Sequence, residues 1–193
     1  APDTEDFNPD DAAYDFVPGR AGAAVRLDAS LPLFHPTVGR VEPEAGTIEL
    51  WLRPDWNGND GEEHAVLSAG LLLHLLKTTS GHLAAVIVSE HLDATTVAAT
   101  DVASWRGGDW HHVAVAWQEH GNLELFVDGA LAASSPLAAR WTAVEHSYGL
   151  LLGTSSVVQG DGLVGAVDEV RISSSVRNPS EIRVSWQAGT AGT

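Results

Sequence analysis

The feature that most constrains this chain is a series of short segments whose apolar residues recur at every second place, each closed by turn chemistry. Trp110-His111-His112-Val113-Ala114-Val115-Ala116-Trp117 runs into Glu119-His120-Gly121-Asn122. Leu123 to Val127 follows and ends at Asp128-Gly129, a pair suited to a tight hairpin turn. Ile48, Leu50 and Leu52 alternate with Glu49, Trp51 and Arg53 before Pro54, which reads as one face inward and one outward. Further runs occupy Ala23 to Asp28, His64 to Ala69, Leu71 to Leu76, Leu83 to Val88, Thr95 to Ala99, Gly149 to Gly153 and Leu163 to Ile172. About a dozen such strands at short intervals predict an all-β chain of two packed antiparallel sheets. The best helix signal is a capped single turn over Asn178 to Arg183.

The 193 residues suit one domain, and 44% hydrophobic content is enough to fill its core. Residues 1–16 hold five aspartates, a glutamate and two prolines without periodicity, so they read as an extended acidic arm. The domain proper is expected over 17–185, with a tail over 186–193. A net charge of −16 argues against nucleic acid or an anionic lipid surface as partner, because both select basic patches. No apolar run is long enough for a membrane span. There is no cysteine, which excludes disulfides and thiolate metal sites. There is no methionine either, so the expectation is a chain that has been processed or excised from something larger; the Ala-Pro-Asp beginning fits the end that signal removal leaves. Export to the cell surface or beyond is the expectation.

Four segments in order, Gly46-Thr47-Ile48-Glu49-Leu50-Trp51, Trp110 to Val115, Val127-Asp128-Gly129 and Gly165-Ala166-Val167-Asp168-Glu169-Val170-Arg171-Ile172, carry a likeness. Over residues 17–185 the chain resembles the laminin-G-like jelly rolls of the concanavalin A-like lectin/glucanase superfamily. The resemblance implies an antiparallel jelly-roll sandwich that binds or adheres more often than it catalyses. It also implies a calcium ion where a late strand crosses the chain's beginning. Asp168 is then the side-chain ligand and Asp28 a second one, with carbonyls and waters completing the six to eight oxygens calcium takes. The alternative for Asp168 is a structural carboxylate that accepts backbone amides at the strand edge.

Other chemistry finds little support. Asp55-Trp56-Asn57-Gly58-Asn59-Asp60-Gly61 is rich in oxygens, but its glycine is displaced and Val66 stands where a bidentate glutamate belongs. Adjacent His111 and His112 point to opposite faces of a strand and cannot easily share an ion. Glycosidases on this fold need acids at alternate places on one strand, and no such run occurs. No Gly-x-Ser-x-Gly elbow is present. Seven tryptophans are more than a core this size requires. Trp51, Trp110 and Trp117 lie in strands and read as packing. Trp56, Trp105 and Trp141 fall beside loops and are the ligand-binding candidates, set against tucked indoles that anchor their loops.

Three functions follow from these readings. The first is a secreted recognition or adhesion module for a glycan or a protein. The second is a structural subunit that polymerises as a filament or surface layer through a terminal arm, for which Asp3, Phe7, Tyr14 and Phe16 are the contact candidates. The third, a glycoside hydrolase, lacks its carboxylates.

Overall fold

The computed structural model describes residues 14–28, 32–36, 41–69, 73–89, 95–138, 149–154 and 161–190. Its strands are β1 (Asp15–Pro18), β2 (Ala23–Leu27), β3 (Leu33–His35), β4 (Ala45–Pro54), β5 (His64–Ala69), β6 (Leu73–Lys77), β7 (His82–Val88) and β8 (Thr95–Asp101). They continue with β9 (His111–Gln118), β10 (Asn122–Val127), β11 (Ala130–Pro136), β12 (Leu150–Leu152), β13 (Asp161–Gly162) and β14 (Gly165–Ser173), and the chain closes with helix α1 (Pro179–Thr190). Two sheets form. One has the order β1-β2-β14-β4-β9-β10-β11, the other β3-β12-β5-β6-β7-β8 with β13 beside β5. Apart from the parallel β13–β5 pair, the strand pairings among the described residues are antiparallel. The expected all-β sandwich is the fold.

Alternation decides which residues fill the space between the sheets. Ile48, Leu50 and Leu52 of β4 join Val113, Val115 and Trp117 of β9 in one core cluster with Leu67, Leu73, Leu75, Leu83 and Ile87 from the facing sheet. Trp117 is tied down by its indole N–H, which donates to the Glu42 carbonyl at 2.9 Å. At the Asp128-Gly129 turn both residues have positive φ, 50° and 76°, the twist a two-residue hairpin needs. Hydrogen bonds from Ser135 Oγ to the Val97 carbonyl (2.7 Å) and from the Ala138 amide to Thr96 Oγ1 (3.0 Å) zip the edges β11 and β8 together.

Two boundaries differ from the sequence reading. The acidic arm was expected through residue 16, yet Asp15 and Phe16 belong to β1 and pair with Arg26 and Val25. The C-terminal stretch was read as a single turn followed by a tail from 186, yet α1 runs on to Thr190. Its start is a full capping box. Asn178 Oδ1 accepts from the Ser180 and Glu181 amides (2.9 and 3.1 Å), Glu181 Oε2 accepts from the Asn178 amide (2.8 Å), and Pro179 occupies the first helical place.

The helix lies on the outer face of the first sheet. Small residues there, Ala114 and Ala116, leave room for Ile182, and these three with Phe126 form a second apolar cluster. Gly189 rests so close to the Trp51 indole that a Cβ would collide with the ring, and Gly129 meets Trp186 in the same way. The outward face of β4 and β9 is therefore roofed rather than open to solvent.

Candidate functional site

Beneath that roof is a cleft of about 210 Å³, lined chiefly by Glu49, Trp51, His112, Arg171, Ser185 and Gly189. Strand alternation sends Glu49 and Trp51 outward from β4, and His112 outward from β9. In the paired register Glu49 faces Ala114 and Trp51 faces His112. A bulge in β14 between Asp168 and Arg171, with Glu169 at φ 49°, delivers Arg171 to the same face opposite Glu49.

The electrostatics centre on Glu49, only 2% exposed. Its Oε1 accepts from Arg177, from Arg171 Nη1 at 3.3 Å and from Ser185 Oγ at 3.4 Å, so one carboxylate oxygen gathers β14, the helix approach and the helix itself. Arg177 Nη1 also donates to Ser185 Oγ (2.9 Å). Thr47 supports the approach: its Oγ1 donates to the Ser175 carbonyl and accepts from the Arg177 amide, both at 2.9 Å. Glu49 Oε2 is different. It stands 3.5 Å from His112 Nε2 without a hydrogen bond, and the Nδ1 of His112 is likewise buried without a partner.

His112 is also 2% exposed, and burial pulls its pKa down to about 4; the nearby Arg171 charge adds to this and Asp128 opposes it. The ring is therefore neutral near pH 7. It meets Trp51 edge-on at 5.3 Å. Arg20 closes the far side, its guanidinium 4.6 Å over the Trp51 ring and its Nε donating to the Gly189 carbonyl at 3.0 Å. The cleft thus has Trp51 as an aromatic wall and Arg171 and Ser185 as polar groups along it, while Glu49 Oε2 and His112 Nδ1 are sealed beneath.

The residues singled out from sequence are dispersed. Asp168 Oδ2 accepts from the Arg20 and Ala21 amides (2.6 and 3.0 Å) and its Oδ1 from the Glu169 amide (2.8 Å). That is the structural alternative: the carboxylate pins the Gly19–Gly22 turn to β14. Asp28 is exposed just beyond β2. Because Gly165 pairs with Leu27 and Val167 with Val25, Asp168 falls level with Ala24, four residues and about 13 Å along the strand from Asp28. The two carboxylates do not meet, and both oxygens of Asp168 already hold amide protons. The pair does not fit the expected calcium site, and among the described residues no group of three His, Asp or Glu side chains is placed to hold a metal.

Trp56 and Trp105, taken as loop-side binding candidates, are 7% exposed. This corrects the expectation of accessible indoles. They belong to a ladder of four stacked rings, with His64 on Trp56 (4.9 Å), Trp56 beside Trp105 (6.3 Å) and Trp105 on His111 (3.8 Å). Lys77, the sole lysine of the chain and fully buried, lies 5.7 Å from the Trp56 ring and pairs with Asp60. Burial raises the Asp60 carboxyl, but hydrogen bonds from Lys77, His64 and the Glu62 amide outweigh it and bring its pKa down to about 2. The rings and this ion pair seal the end of the sandwich. Trp141, Asp3 and Phe7 lie outside the described residues. Tyr14 is half-buried and donates to the Pro32 carbonyl of its own chain at 3.1 Å, whereas Phe16 on β1 is 60% exposed.

The described residues thus form a two-sheet, largely antiparallel sandwich with one helix roofing the outer face of the first sheet. The chain belongs to the concanavalin A-like lectin/glucanase superfamily, whose laminin-G-like model matches residues 29–183. Comparison with curated sequences gives no match. Among solved structures the binding domain of Paraclostridial mosquitocidal protein 1 is similar, at 15% identity and a TM-score of 0.71, over 91% of this chain and 45% of that one. The receptor-binding domain of botulinum neurotoxin mosaic serotype C/D is similar at 12% identity and 0.72, over 91% and 44%. The serotype D ligand-binding domain in complex with N-acetylneuraminic acid follows at 12% and 0.58, over 86% and 39%. The chain spans less than half the length of each, and at these identities the likeness is one of fold. No described helix is long and apolar enough to cross a membrane.

Proposed function

We propose that this chain is a non-catalytic recognition module, working at the cell surface or outside the cell, that binds a carbohydrate or a protein. The observation that supports it is the cleft under α1, a concave site with Trp51 as an aromatic wall and the polar side chains of Arg171 and Ser185 along it. The superfamily and the toxin binding domains agree with the reading at the level of fold. The N-acetylneuraminic acid complex adds no sugar site here, since this chain spans 39% of that protein. The test is a glycan array probed with the whole chain, with calcium and with chelator. Binding to a defined set of glycans, indifferent to calcium, is the expected result; no glycan retained would remove the carbohydrate arm and leave protein ligands to be sought.

A second reading, self-assembly through the N-terminal segment, is favoured by one observation: β1 is an edge strand and carries the exposed Phe16. Light scattering at high concentration addresses it. A concentration-independent monomer removes this reading, and particles lost on Phe16→Ser support it.

A further inference from the structure

We propose that the folded chain joins Lys77 to Asp60 by a side-chain amide bond of its own making, with His64 carrying the protons. The step happens once per chain. It uses none of the residues that line the α1 cleft and is independent of what the module binds.

The chain holds ten lysines and arginines, a single one of them lysine, and that side chain is fully buried. Its amine can act as a nucleophile, whereas a guanidinium stays protonated. Nζ donates to Asp60 Oδ1 directly and to the Glu62 carbonyl at 2.8 Å, so the carbon it would attack, Asp60 Cγ, is the next atom along. Both oxygens of that carboxyl are served. The Glu62 amide donates to Oδ1 at 3.0 Å, and His64 Nε2 lies 2.7 Å from Oδ2. Trp56, stacked on His64 at 4.9 Å and 5.7 Å from Nζ, walls the group off from water. Burying an ammonium this completely is costly even when it is paired, and an amide removes both charges.

The chemistry balances within the site. At rest the pair is ionic, since Asp60 titrates at about 2. That pair is the reactant, and the acid titration of Asp60 belongs to the unlinked chain. One ammonium proton passes to the carboxylate at Oδ2, which leaves a neutral amine beside a carboxylic acid. The amine lone pair then forms the N–C bond at Cγ, and the carbonyl π electrons move onto Oδ1, where the Glu62 amide donates to the oxyanion. His64 protonates Oδ2 and regains the second proton that nitrogen releases. The oxyanion collapses to a carbonyl, the Cγ–Oδ2 bond breaks, and Oδ2 departs as water. The Asp60 side chain is 23% exposed, which gives that water its exit. Positioning supplies the drive, because groups held in contact react at effective concentrations of about 10⁵ M or more.

Intact-mass spectrometry of the full chain tests the proposal. After incubation at neutral pH the mass should lie one water, about 18 Da, below that of the sequence. Asp60-Gly61 and Asp128-Gly129 would lose the same water on closing to succinimides, so the loss must be located. Glu62 and Glu63 stand between Asp60 and Lys77. Digestion of the unfolded chain with trypsin and a glutamate-specific protease should therefore leave two fragments joined through Asp60 and Lys77, with the bond after Lys77 uncut. Lys77→Met should keep the full mass. His64→Gln, which keeps a polar side chain but cannot relay protons, should form the link about a hundredfold more slowly; an unchanged rate would overturn the part given to His64. Circular dichroism establishes that both variants are folded, and the wild-type measurement stands without them. Full mass in the wild type after prolonged warm incubation would overturn the proposal and leave Lys77 and Asp60 as an ion pair. So would a lost water located at a succinimide with the bond after Lys77 cut. Neither result touches the recognition reading, which the glycan array judges.

Discussion

At the scale of single residues, a ladder of stacked rings and two buried ionisable groups make the sharpest predictions. Trp105 stacks between Trp56 and His111, so Trp105→Ala opens a cavity and breaks two ring contacts; a loss of about 3–5 kcal/mol in urea denaturation is expected. The acid response has two stages. His112 titrates at about 4 in the folded chain against 6.5 when unfolded, so between those values the unfolded chain binds more protons. Stability therefore falls as pH drops from 6.5 toward 4, by roughly 3 kcal/mol in all, and stays lower beneath. Asp60 continues the decline. Its folded pKa of about 2 lies under the model-peptide value of 3.8, so the stabilisation present above 3.8 is lost as pH falls through 2. Urea midpoints measured from pH 8 to 2 check both stages, and His112→Phe removes the upper one alone.

Elements differ in how far they can be read from sequence. Strands β4, β9 and β14 are plain because each buries one face in the sandwich, and period-two alternation records that burial directly. The β10–β11 hairpin is marked by Asp128-Gly129, although β11 itself, mostly exposed, has no apolar alternation to announce it. Helix α1 shows its start but not its length, because Ser185, Gly189 and Thr190 are poor helix formers. Its last turns persist through contacts invisible in a linear reading: Ile182 against Ala114, Ala116 and Phe126, Trp186 on Gly129, and Gly189 on Trp51. The same roof hides the candidate site. Alternation points Glu49 outward, which reads as solvent, and nothing local says that a helix some 130 residues later covers it. Trp56 and Trp105 mislead for a related reason: they cover each other from two distant loops, and each is also stacked on a histidine of a following strand, His64 or His111. Asn178→Ala removes the cap that begins α1 and should cost about 1 kcal/mol by thermal or urea unfolding.

At the scale of the whole molecule, two sheets zipped at their edges and a docked helix make one frame. Asp168 holds backbone amides on both oxygens and Asp28 lies too far along the strand to join it, so these two carboxylates do not make a calcium site together. The melting temperature should accordingly be the same in calcium and in chelator, by scanning calorimetry. The central claim is that α1 is an integral wall of the domain, clamped by Glu49 through Arg177 and Ser185. Native-state hydrogen exchange followed by NMR tests it most directly. Amides from Ile182 to Trp186 should exchange as slowly as those of β9, and Glu49→Gln should speed them selectively; exchange of the helix at the rate of a free peptide while β9 stays protected would contradict the claim.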